Sequence, residues 1–413
     1  SSPKSPPDSS PSSVLAKLWN VEEKEVPKLF AREETLIKGN LQLIPLLDES
    51  IYGGSYINLK ANKIIINTID PSKKGIITNN KTIKPYLNFL SFVQVNNSLA
   101  KLNNTYEKLI RLARHYKVKD VMISNEYKKN NIVIYLNNTD DKANKAFINS
   151  AKKLDPIPII AYNKKIKKRS LHNSSSLKSR QITIPLLGGS HIGHPHAECT
   201  VGFWVHFRGT YYITTCGHCI TNGITNAEGQ YIFDYKGINP PEYIGPMTMY
   251  DLSGVDRGFI YPDNPKFVKS PYIKNPEFRV QPELAIADTT PIAGNSIIGA
   301  TVCTIGALSN LRCGNVKTGD MTEFVREHEI ENMIVTTRMT QHGDSGAPVF
   351  RFIELFSLSA PLKVHLIGMH NAEGFMAESE DSPEVIPIST HMPLYKILKN
   401  DMSVFTIYDA DPQ

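Results

Sequence analysis

The pattern of hydrophobic and polar positions changes about two fifths of the way along the chain. Up to about residue 160, stretches with helical spacing alternate with β-rich runs. From residue 182 to about residue 370, short runs of Val, Ile, Tyr, Phe and Thr alternate with Gly, Pro and Asn turns, which is typical of an all-β barrel protein. We therefore predict a disordered Ser/Pro-rich lead over residues 1–20, an α+β domain over 21–160, a linker over 161–181 and a β-barrel domain over 182–413.

The α+β domain is predicted from two helices and two pairs of strands. One helix covers residues 98–116, where Ser98 caps the start and one face carries Leu99, Leu102, Tyr106, Leu109, Ala113 and Tyr116. A second helix is indicated by Ala143, Phe147, Ala151 and Leu154, and strands are predicted over 120–127 and 131–136. Residues 53–59 and 63–70 read as a hairpin. At the other end of the chain, residues 393–400 are predicted to form a closing helix.

The charge pattern argues against a nucleic-acid partner. The formal net charge is +6, but residues 151–180 alone hold nine Lys or Arg against one Asp, so the positive charge is a local cluster. No run of about 18 apolar residues is present, and we predict no membrane span. The chain opens without a methionine or an apolar secretory core, so either a signal peptide has been removed from this numbering or there is none, and the cysteines favour removal.

The basic cluster lies in the predicted linker. A solvated basic segment between folded units is a usual site of proteolysis, and Arg169 and Arg180 are the candidate processing positions. The alternative is an uncut charged tether. Five Asn-x-Ser/Thr sequons are confined to the first half, at Asn80, Asn96, Asn103, Asn137 and Asn173. They suit a secreted, glycosylated segment, although an Asn-rich region also produces such matches by chance.

Two motifs in the second half carry the candidate chemistry. A serine hydroxyl becomes a good nucleophile when an imidazole removes its proton and a carboxylate holds the other ring nitrogen. Ser345 lies in Gly343-Asp344-Ser345-Gly346, and His218 lies upstream in Thr214-Thr215-Cys216-Gly217-His218-Cys219. Gly343 permits a turn in which the amides of Gly343 and Ser345 face one developing oxyanion. Asp344 is expected to support this turn through structural hydrogen bonds or a buried ion pair.

The order of these motifs resembles the chymotrypsin-like serine proteases, whose triad runs histidine, aspartate, serine. The neighbouring segments 199–203, 217–219, 302–306 and 313–316 look like the secreted α-lytic protease and streptogrisin branch, and the likeness extends from about residue 186 to about residue 398. The hairpin over 53–70 resembles part of an α-lytic-type propeptide. The resemblance implies a double β-barrel protease domain over 182–413, and a pro-domain over 21–160 that assists folding and then blocks the active-site cleft. It implies a monomer that acts on a protein or peptide substrate without a cofactor.

Further roles follow from this resemblance. Asp256 becomes the carboxylate that orients His218, with Asp251 as its rival. The implied disulfides are Cys199–Cys219 and Cys303–Cys313, which place the protein in an oxidising, extracellular compartment. Cys216 is left over and is expected to be a small buried thiol. A zinc site built from Cys216, His218 and Cys219 fits poorly because adjacent strand residues point to opposite faces, so we predict no metal.

The resemblance also identifies a pocket for the residue before the scissile bond, lined by Met339, Thr340, His342, His370 and Asn371. Met339 supplies no carboxylate, so cleavage after Lys or Arg is not expected. His370 and Thr340 resemble the residues with which glutamyl endopeptidases bind an acidic side chain. The alternative is an apolar pocket in which His370 is ordinary packing, and Glu373, expected at the pocket mouth, would repel an acidic substrate.

The sequence departs from the family pattern at Ala347, Met339 and Asn371, where these enzymes carry a glycine, a third-disulfide cysteine and a serine that contacts the catalytic aspartate. These changes affect the pocket and not the three reacting side chains. The sequence thus predicts a secreted serine endopeptidase zymogen that forms an acyl-enzyme on Ser345. The alternatives are a catalytically impaired homologue that acts as a binding module, and an intracellular or viral protease that processes its own chain.

Overall fold

The computed structural model describes residues 10–163, 183–358, 361–379 and 381–410. Most of the predicted linker, with both candidate processing positions, Arg169 and Arg180, lies outside these ranges. None of the helices in the described ranges is long and apolar enough to cross a membrane. The helices are α1 (Pro11–Trp19), α2 (Val26–Leu43), α3 (Gly75–Thr78), α4 (Leu99–Tyr116), α5 (Lys142–Ala151), α6 (Leu394–Ile397) and α7 (Ile407–Ala410).

Six strands belong to the first part of the chain. They are β1 (Tyr52–Asn58), β2 (Lys63–Thr68), β3 (Leu90–Gln94), β4 (Val121–Glu126), β5 (Asn131–Leu136) and β6 (Ile159–Asn163). We divide this part into lobe A, residues 10–97, and lobe B, residues 98–163. Lobe A combines α1 to α3 with the three-stranded sheet β1–β2–β3, in which β1 and β2 form the predicted hairpin and β3 pairs with β2 in parallel.

Lobe B packs two helices against one face of a small sheet. Helix α4 begins after Ser98, whose hydroxyl accepts a hydrogen bond from the amide of Lys101, and α5 begins after Asp141 in the same way. Leu102, Leu109 and Phe147 are fully buried between these helices and strands β4 and β5. Amphipathic spacing and side-chain caps therefore produce the helix–strand–strand–helix unit that the sequence predicts.

The first barrel follows. Its strands are β7 (Ile184–Pro185), β8 (His191–His194), β9 (Ala197–Thr200), β10 (Trp204–Phe207), β11 (Thr210–Thr215), β12 (Ile232–Tyr235), β13 (Glu242–Asp251), β14 (Arg257–Ile260) and β15 (Phe267–Val268). Seven of them form an eight-stranded sheet in the order β24-β10-β11-β14-β13-β12-β8-β9, with β24 (Met402–Val404) arriving from the end of the chain. Trp204, Phe233 and Phe259 fill its interior.

The remaining strands build the second barrel. They are β16 (Tyr272–Lys274), β17 (Glu283–Asp288), β18 (Thr301–Thr304), β19 (Arg312–Val325), β20 (His328–Thr337), β21 (Pro348–Phe352), β22 (Leu362–Ala377) and β23 (Ile386–Pro393). Strands β18, β19, β20, β23, β22 and β21 pair antiparallel in that order, and β21 pairs with β18 again, so the ring closes. The fold is thus mainly β, a chymotrypsin-like double barrel preceded by an α+β region.

The sheet of the second barrel continues into lobe B. Strand β4 pairs antiparallel with β19, from Ser124 opposite Met321 to Val121 opposite Phe324. At its other edge, β6 pairs antiparallel with the end of β22, where Tyr162 is opposite Ala377. Backbone hydrogen bonds therefore tie lobe B to the barrel at two places.

The structure differs from the sequence prediction in three details. Residues 11–19 form a helix with Leu15 and Trp19 buried, and not the disordered lead predicted up to residue 20. Ser10 caps this helix, and Pro11 occupies its first turn, where a missing amide costs nothing. Helix α5 ends at Ala151, before Leu154. The predicted closing helix over 393–400 is a single turn, α6, because Leu398 is already extended.

Candidate active site

His218 is held in a tight turn at the end of a strand in the first barrel. It lies in a single 3-10 turn, Gly217–Ile220, that follows β11. Gly217 leaves the space that this turn needs, since a Cβ there would lie 2.4 Å from the carbonyl oxygen of Asp251. The next residue, Cys219, forms a disulfide with Cys199 on β9. The imidazole is thus fixed from both sides while 42% of the side chain stays exposed.

Asp256 lies beneath His218, immediately before β14, and its side chain is 3% exposed. Its carboxylate accepts two hydrogen bonds from His218, one from the main-chain amide to Oδ1 at 2.9 Å and one from Nδ1 to Oδ2 at 2.5 Å. The rival candidate, Asp251, accepts a hydrogen bond from Nε of Arg257 at 2.7 Å and is an ion-pair partner. The structure therefore brings Asp256 to His218.

Ser345 comes from the second barrel, in the loop between β20 and β21. Its Oγ lies 3.0 Å from Nε2 of His218 and 3.2 Å from the carbonyl oxygen of Asn371. The three side chains Asp256, His218 and Ser345 consequently form one continuous hydrogen-bonded row across the junction of the two barrels. In this row the carboxylate fixes the imidazole with Nε2 directed at the hydroxyl, which is the arrangement that general-base activation of a serine requires.

The turn before Ser345 is stabilised by Asp344, which is fully buried. Its carboxylate accepts hydrogen bonds from the hydroxyl of Ser309 at 2.5 Å and from the amides of Leu308 at 3.2 Å and Gln341 at 2.9 Å. The structure thus gives Asp344 the structural hydrogen bonds that the sequence analysis expects. Gly343 has a φ of +101°, a backbone conformation that favours glycine.

The amides of Gly343 and Ser345 are available to a ligand. In the part of the chain that the structure describes, neither amide donates to a backbone carbonyl, whereas the amide of Asp344 between them donates to Gln341. The carbonyl of Gly343 is turned away, where it accepts a hydrogen bond from the hydroxyl of Thr200 at 2.9 Å. Two free amides beside a nucleophilic hydroxyl can stabilise negative charge on a tetrahedral carbonyl oxygen.

The electrostatic environment of His218 favours the charged imidazole. Burial lowers the pKa of His218, but the charge and the hydrogen bond of Asp256 outweigh this, so the net pKa is raised above its usual value of 6.5. A second carboxylate, Glu323 on β19, also acts on the site: burial, and then the charge of Asp256, raises its pKa to about 7. Sequence analysis missed Glu323, because a single glutamate in a strand carries no signal of its distance from the catalytic residues.

Cys216 is buried against the same site, and its Sγ donates to the carbonyl of His370 at 3.1 Å. Burial, and then the charge of Asp256, raises the pKa of this thiol well above its usual value. Ligand atoms of Cys216, His218 and Asp256 lie within 4.8 Å of one another. A metal there would need a thiolate and would have to displace a hydrogen bond of His218, so these residues fit the hydrogen-bonded row better than a metal site. The second disulfide joins Cys303 and Cys313.

The five predicted pocket residues occupy different environments. Met339 and Thr340 are buried, and the hydroxyl of Thr340 is hydrogen-bonded to Ser389 at 2.6 Å. His342 is exposed. Asn371 is buried, and its side-chain amide donates to Thr390 at 3.4 Å. His370 is fully buried, so His342 is the one predicted pocket residue that faces solvent.

His370 belongs to a buried row of side chains behind the pocket. Its Nδ1 lies 3.2 Å from Nδ1 of His391, whose Nε2 lies 2.9 Å from the hydroxyl of Thr336. Burial, and then the neighbouring His370, lowers the pKa of His391 well below 6.5, so His391 is neutral at pH 7. The carboxylate of Glu373 lies 3.5 Å from Nε2 of His370, without hydrogen-bond geometry. The Glu373 side chain is 9% exposed and lies against His370.

Comparison with known proteins gives similar solved structures but no matching family. Neither the family models nor the curated proteins match the chain. Solved structures similar to it include the Nocardiopsis protease (16% identity, 54% of this chain and 100% of that one, TM-score 0.39) and Thermobifida fusca protease A (18%, 54% and 100%, TM-score 0.37). An α-lytic protease homologue is similar at 18% identity, over 51% of this chain and 94% of the other, with a TM-score of 0.37. These structures are chymotrypsin-fold serine proteases.

Proposed function

We propose that this protein is a serine endopeptidase that hydrolyses peptide bonds through an acyl-enzyme on Ser345. The observation that carries the proposal is the row in which Asp256 lies 2.5 Å from Nδ1 of His218 and Ser345 lies 3.0 Å from Nε2. His218 takes the hydroxyl proton as Oγ of Ser345 attacks the scissile carbonyl carbon. The amides of Gly343 and Ser345 bind the resulting oxyanion, and Asp256 stabilises the imidazolium without taking the proton.

The departure of the amine and the hydrolysis of the acyl-enzyme use the same groups. The imidazolium of His218 donates its proton to the leaving amine, and the C–N bond breaks to give the acyl-enzyme. Water then enters, loses a proton to His218 and attacks the ester carbonyl, and Ser345 recovers its proton when the carboxylic acid leaves. No cofactor takes part in this proposal.

The preferred residue before the scissile bond is proposed to be apolar. Met339, which the sequence predicts to line the pocket, is apolar and packs in a buried cluster, and Glu373 already places a carboxylate beside His370. A second carboxylate from a substrate would meet like charge in a poorly solvated place, which is unfavourable. A preference for an acidic substrate residue would require the Glu373 side chain to move away from His370, so that His370 and Thr340 can bind the substrate carboxylate.

The first half is proposed to act as a pro-region that assists folding and restrains the protease until the linker over 161–181 is cut. Support comes from β6, which pairs antiparallel with β22 at Met376 and Ala377. This pairing begins five residues after Asn371, a predicted pocket residue. The side chain of Asn163, the last residue of β6, accepts a hydrogen bond from the amide of Phe375 at 3.4 Å. An extended substrate adding to the same strand would compete with this segment.

We propose that the protein is secreted, because its two disulfides would persist in an oxidising compartment. The signal peptide and glycosylation of the sequons in the first half belong to the same proposal.

Labelling by a fluorophosphonate probe tests the enzyme and the zymogen together. The full chain and the chain cut in the linker are treated with the probe, and Ser345→Ala is the control. We expect labelling after the cut, little before it, and none in the variant. Absence of labelling in both folded forms would overturn the peptidase and favour a binding module. Equal labelling of cut and uncut chains would remove the restraining role of the first half.

A further inference from the structure

Lobe A has no closed hydrophobic core of its own. Its buried apolar side chains form one continuous cluster with the second barrel, in which Leu36, Ile57 and Ile66 pack together with Ile297, Val302 and Val349, among others. Helix α1 joins another shared cluster through Leu15 and Trp19. Lobe B has one core between its helices and its sheet, which takes only Phe324 from the barrels in the described residues. On the other face of that sheet, Met122, Val133 and Tyr135 share a second cluster with Met321 and Met333 of the barrel, among others.

A buried ion pair lies at the centre of the contact between lobe A and the second barrel. Nη1 of Arg351 on β21 lies 2.9 Å from Oε1 of Glu33 on α2, and these side chains are 7% and 3% exposed. Glu34 adds a second carboxylate, 2.7 Å from Nη2 of the same guanidinium. Arg351 also donates to the carbonyl oxygen of Thr301. Each charge is thus satisfied only while α2 stays on the barrel.

A row of buried hydrogen bonds extends this contact to α1. The indole Nε1 of Trp19 donates to the hydroxyl of Thr301 at 3.0 Å, and that hydroxyl donates to Oε2 of Glu33 at 2.8 Å. Elsewhere in lobe A, the side chain of Asn40 donates to the carbonyl of Ser296 at 3.0 Å, and the amide of Ile57 donates to the carbonyl of Ile298 at 3.0 Å. Removal of lobe A would replace these hydrogen bonds with bonds to water and would expose the apolar surface around them.

We infer that lobe A, residues 10–97, is a permanent subunit of the protease and stays bound after the linker is cut, with Glu33 and Arg351 as the central contact. A cut in the linker frees the β6 end of lobe B from its covalent connection to the first barrel. Lobe B can move only by giving up the pairings of β4 with β19 and of β6 with β22, whereas lobe A remains in place. The active protein is a two-chain molecule. This inference relies on the proposed cleavage of the linker, but not on peptidase activity.

The test uses the full chain with Ser345→Ala, so that the protein cannot digest itself, and with a recognition sequence for a site-specific protease introduced within residues 164–182. After cutting, gel filtration in native buffer at nanomolar concentration is expected to give one peak that contains both fragments. Separation of the fragments under these conditions would overturn the inference. Because the nucleophile is absent, a failure of the fluorophosphonate experiment would leave this result unaffected.

Variants test whether the ion pair is the central contact. Glu33→Gln in the cut protein is expected to increase the dissociation rate of the fragments at least about 100-fold, because it leaves the buried Arg351 guanidinium with only the partly exposed Glu34 as a charge partner. The matched control is Arg114→Gln, which removes an exposed ion pair between lobe B and Glu329 and is expected to change the rate less than about threefold. Trp19→Phe keeps an aromatic side chain but loses the pyrrole ring and its hydrogen bond to Thr301, and we expect at least about a tenfold increase in the dissociation rate.

Folding of each uncut variant is checked first by circular dichroism. If Glu33→Gln does not fold uncut, Trp19→Phe decides, since it removes no charge and keeps an aromatic side chain at this position. Equal dissociation rates for Trp19→Phe, Arg114→Gln and the parent would contradict the role assigned to this contact.

Discussion

Asp256 accepts hydrogen bonds from both the main-chain amide and the imidazole Nδ1 of His218, at 2.9 and 2.5 Å. The double contact fixes the tautomer of the ring and its rotation at once, because the carboxylate is itself 3% exposed and cannot turn freely. Asp256→Asn keeps the shape but offers an amide in place of one oxygen, which favours the wrong tautomer. We expect kcat to fall by about 10⁴-fold, measured on a peptide ester or anilide.

The control for this variant is Asp251→Asn. Asp251 pairs with Arg257 and is 38% exposed, so its loss removes only a partly solvated ion pair. We expect kcat to change less than about threefold. A large effect of Asp251→Asn with a small effect of Asp256→Asn would reverse the assignment of the orienting carboxylate.

The pH dependence of activity follows from the raised pKa of His218. The imidazole must be neutral to accept the proton of Ser345, so kcat/KM rises as pH increases through the pKa of the free enzyme. Since Asp256 holds this pKa above 6.5, the midpoint of the acidic limb is expected above 6.5. A profile of kcat/KM between pH 5 and 9 measures it, and a midpoint clearly below 6.5 would contradict the net stabilisation of the imidazolium by Asp256.

Loss of the Asp344 carboxylate should destabilise the protein as well as inactivate it. Asp344→Ala leaves the amides of Leu308 and Gln341 and the hydroxyl of Ser309 without their acceptor. We expect the free energy of unfolding to fall by about 3 kcal/mol or more, measured by urea denaturation.

Ser309→Ala is the matched comparison for Asp344→Ala. It removes a single hydrogen bond from the same carboxylate and should cost about 1 kcal/mol. Equal costs for the two variants would show that the carboxylate is not the centre of this turn.

Substrate preference should respond to Glu373. If its carboxylate occupies the place of an acidic substrate side chain beside His370, Glu373→Ala removes the like charge and leaves His370 free to donate. We expect the ratio of kcat/KM for a glutamate substrate to that for a leucine substrate to increase at least about tenfold. Glu378→Ala, just after the same strand, should leave the ratio unchanged. If Glu373→Ala also leaves this ratio unchanged, Glu373 does not determine the substrate preference.

The sequence predicts those parts of the molecule whose causes are local. Ser98 and the apolar face of α4 lie within one segment, and the structure places the helix at Leu99–Tyr116. The motifs around His218 and Ser345 are likewise local, because each describes a turn. The helix at Pro11–Trp19 differs from the prediction because Ser and Pro are also typical of disordered segments. Here Ser10 caps the helix and Pro11 lies in its first turn.

Long-range pairings left no such signal. Strand β4 pairs with an edge of the second barrel, at β19. The sequence of a strand indicates which face is buried but not which other strand it pairs with. Glu33 and Arg351 are separated by 318 residues, and the sequence around each predicts only a solvent-exposed charge. The contact between Glu373 and His370 depends on a bulge in β22 that displaces the residues after His370 in their register with β23.

The sharing of core side chains between lobe A and the second barrel has a consequence for synthesis on the ribosome. Glu33 and its partner Thr301 are 268 residues apart, and lobe A is made first. At roughly 5–20 residues per second, its apolar surface waits on the order of ten seconds to a minute for the strands that cover it. During that interval the nascent chain is a binding site for chaperones and for other nascent chains, so codon usage and chaperone supply should influence the yield of this protein more than its final stability does.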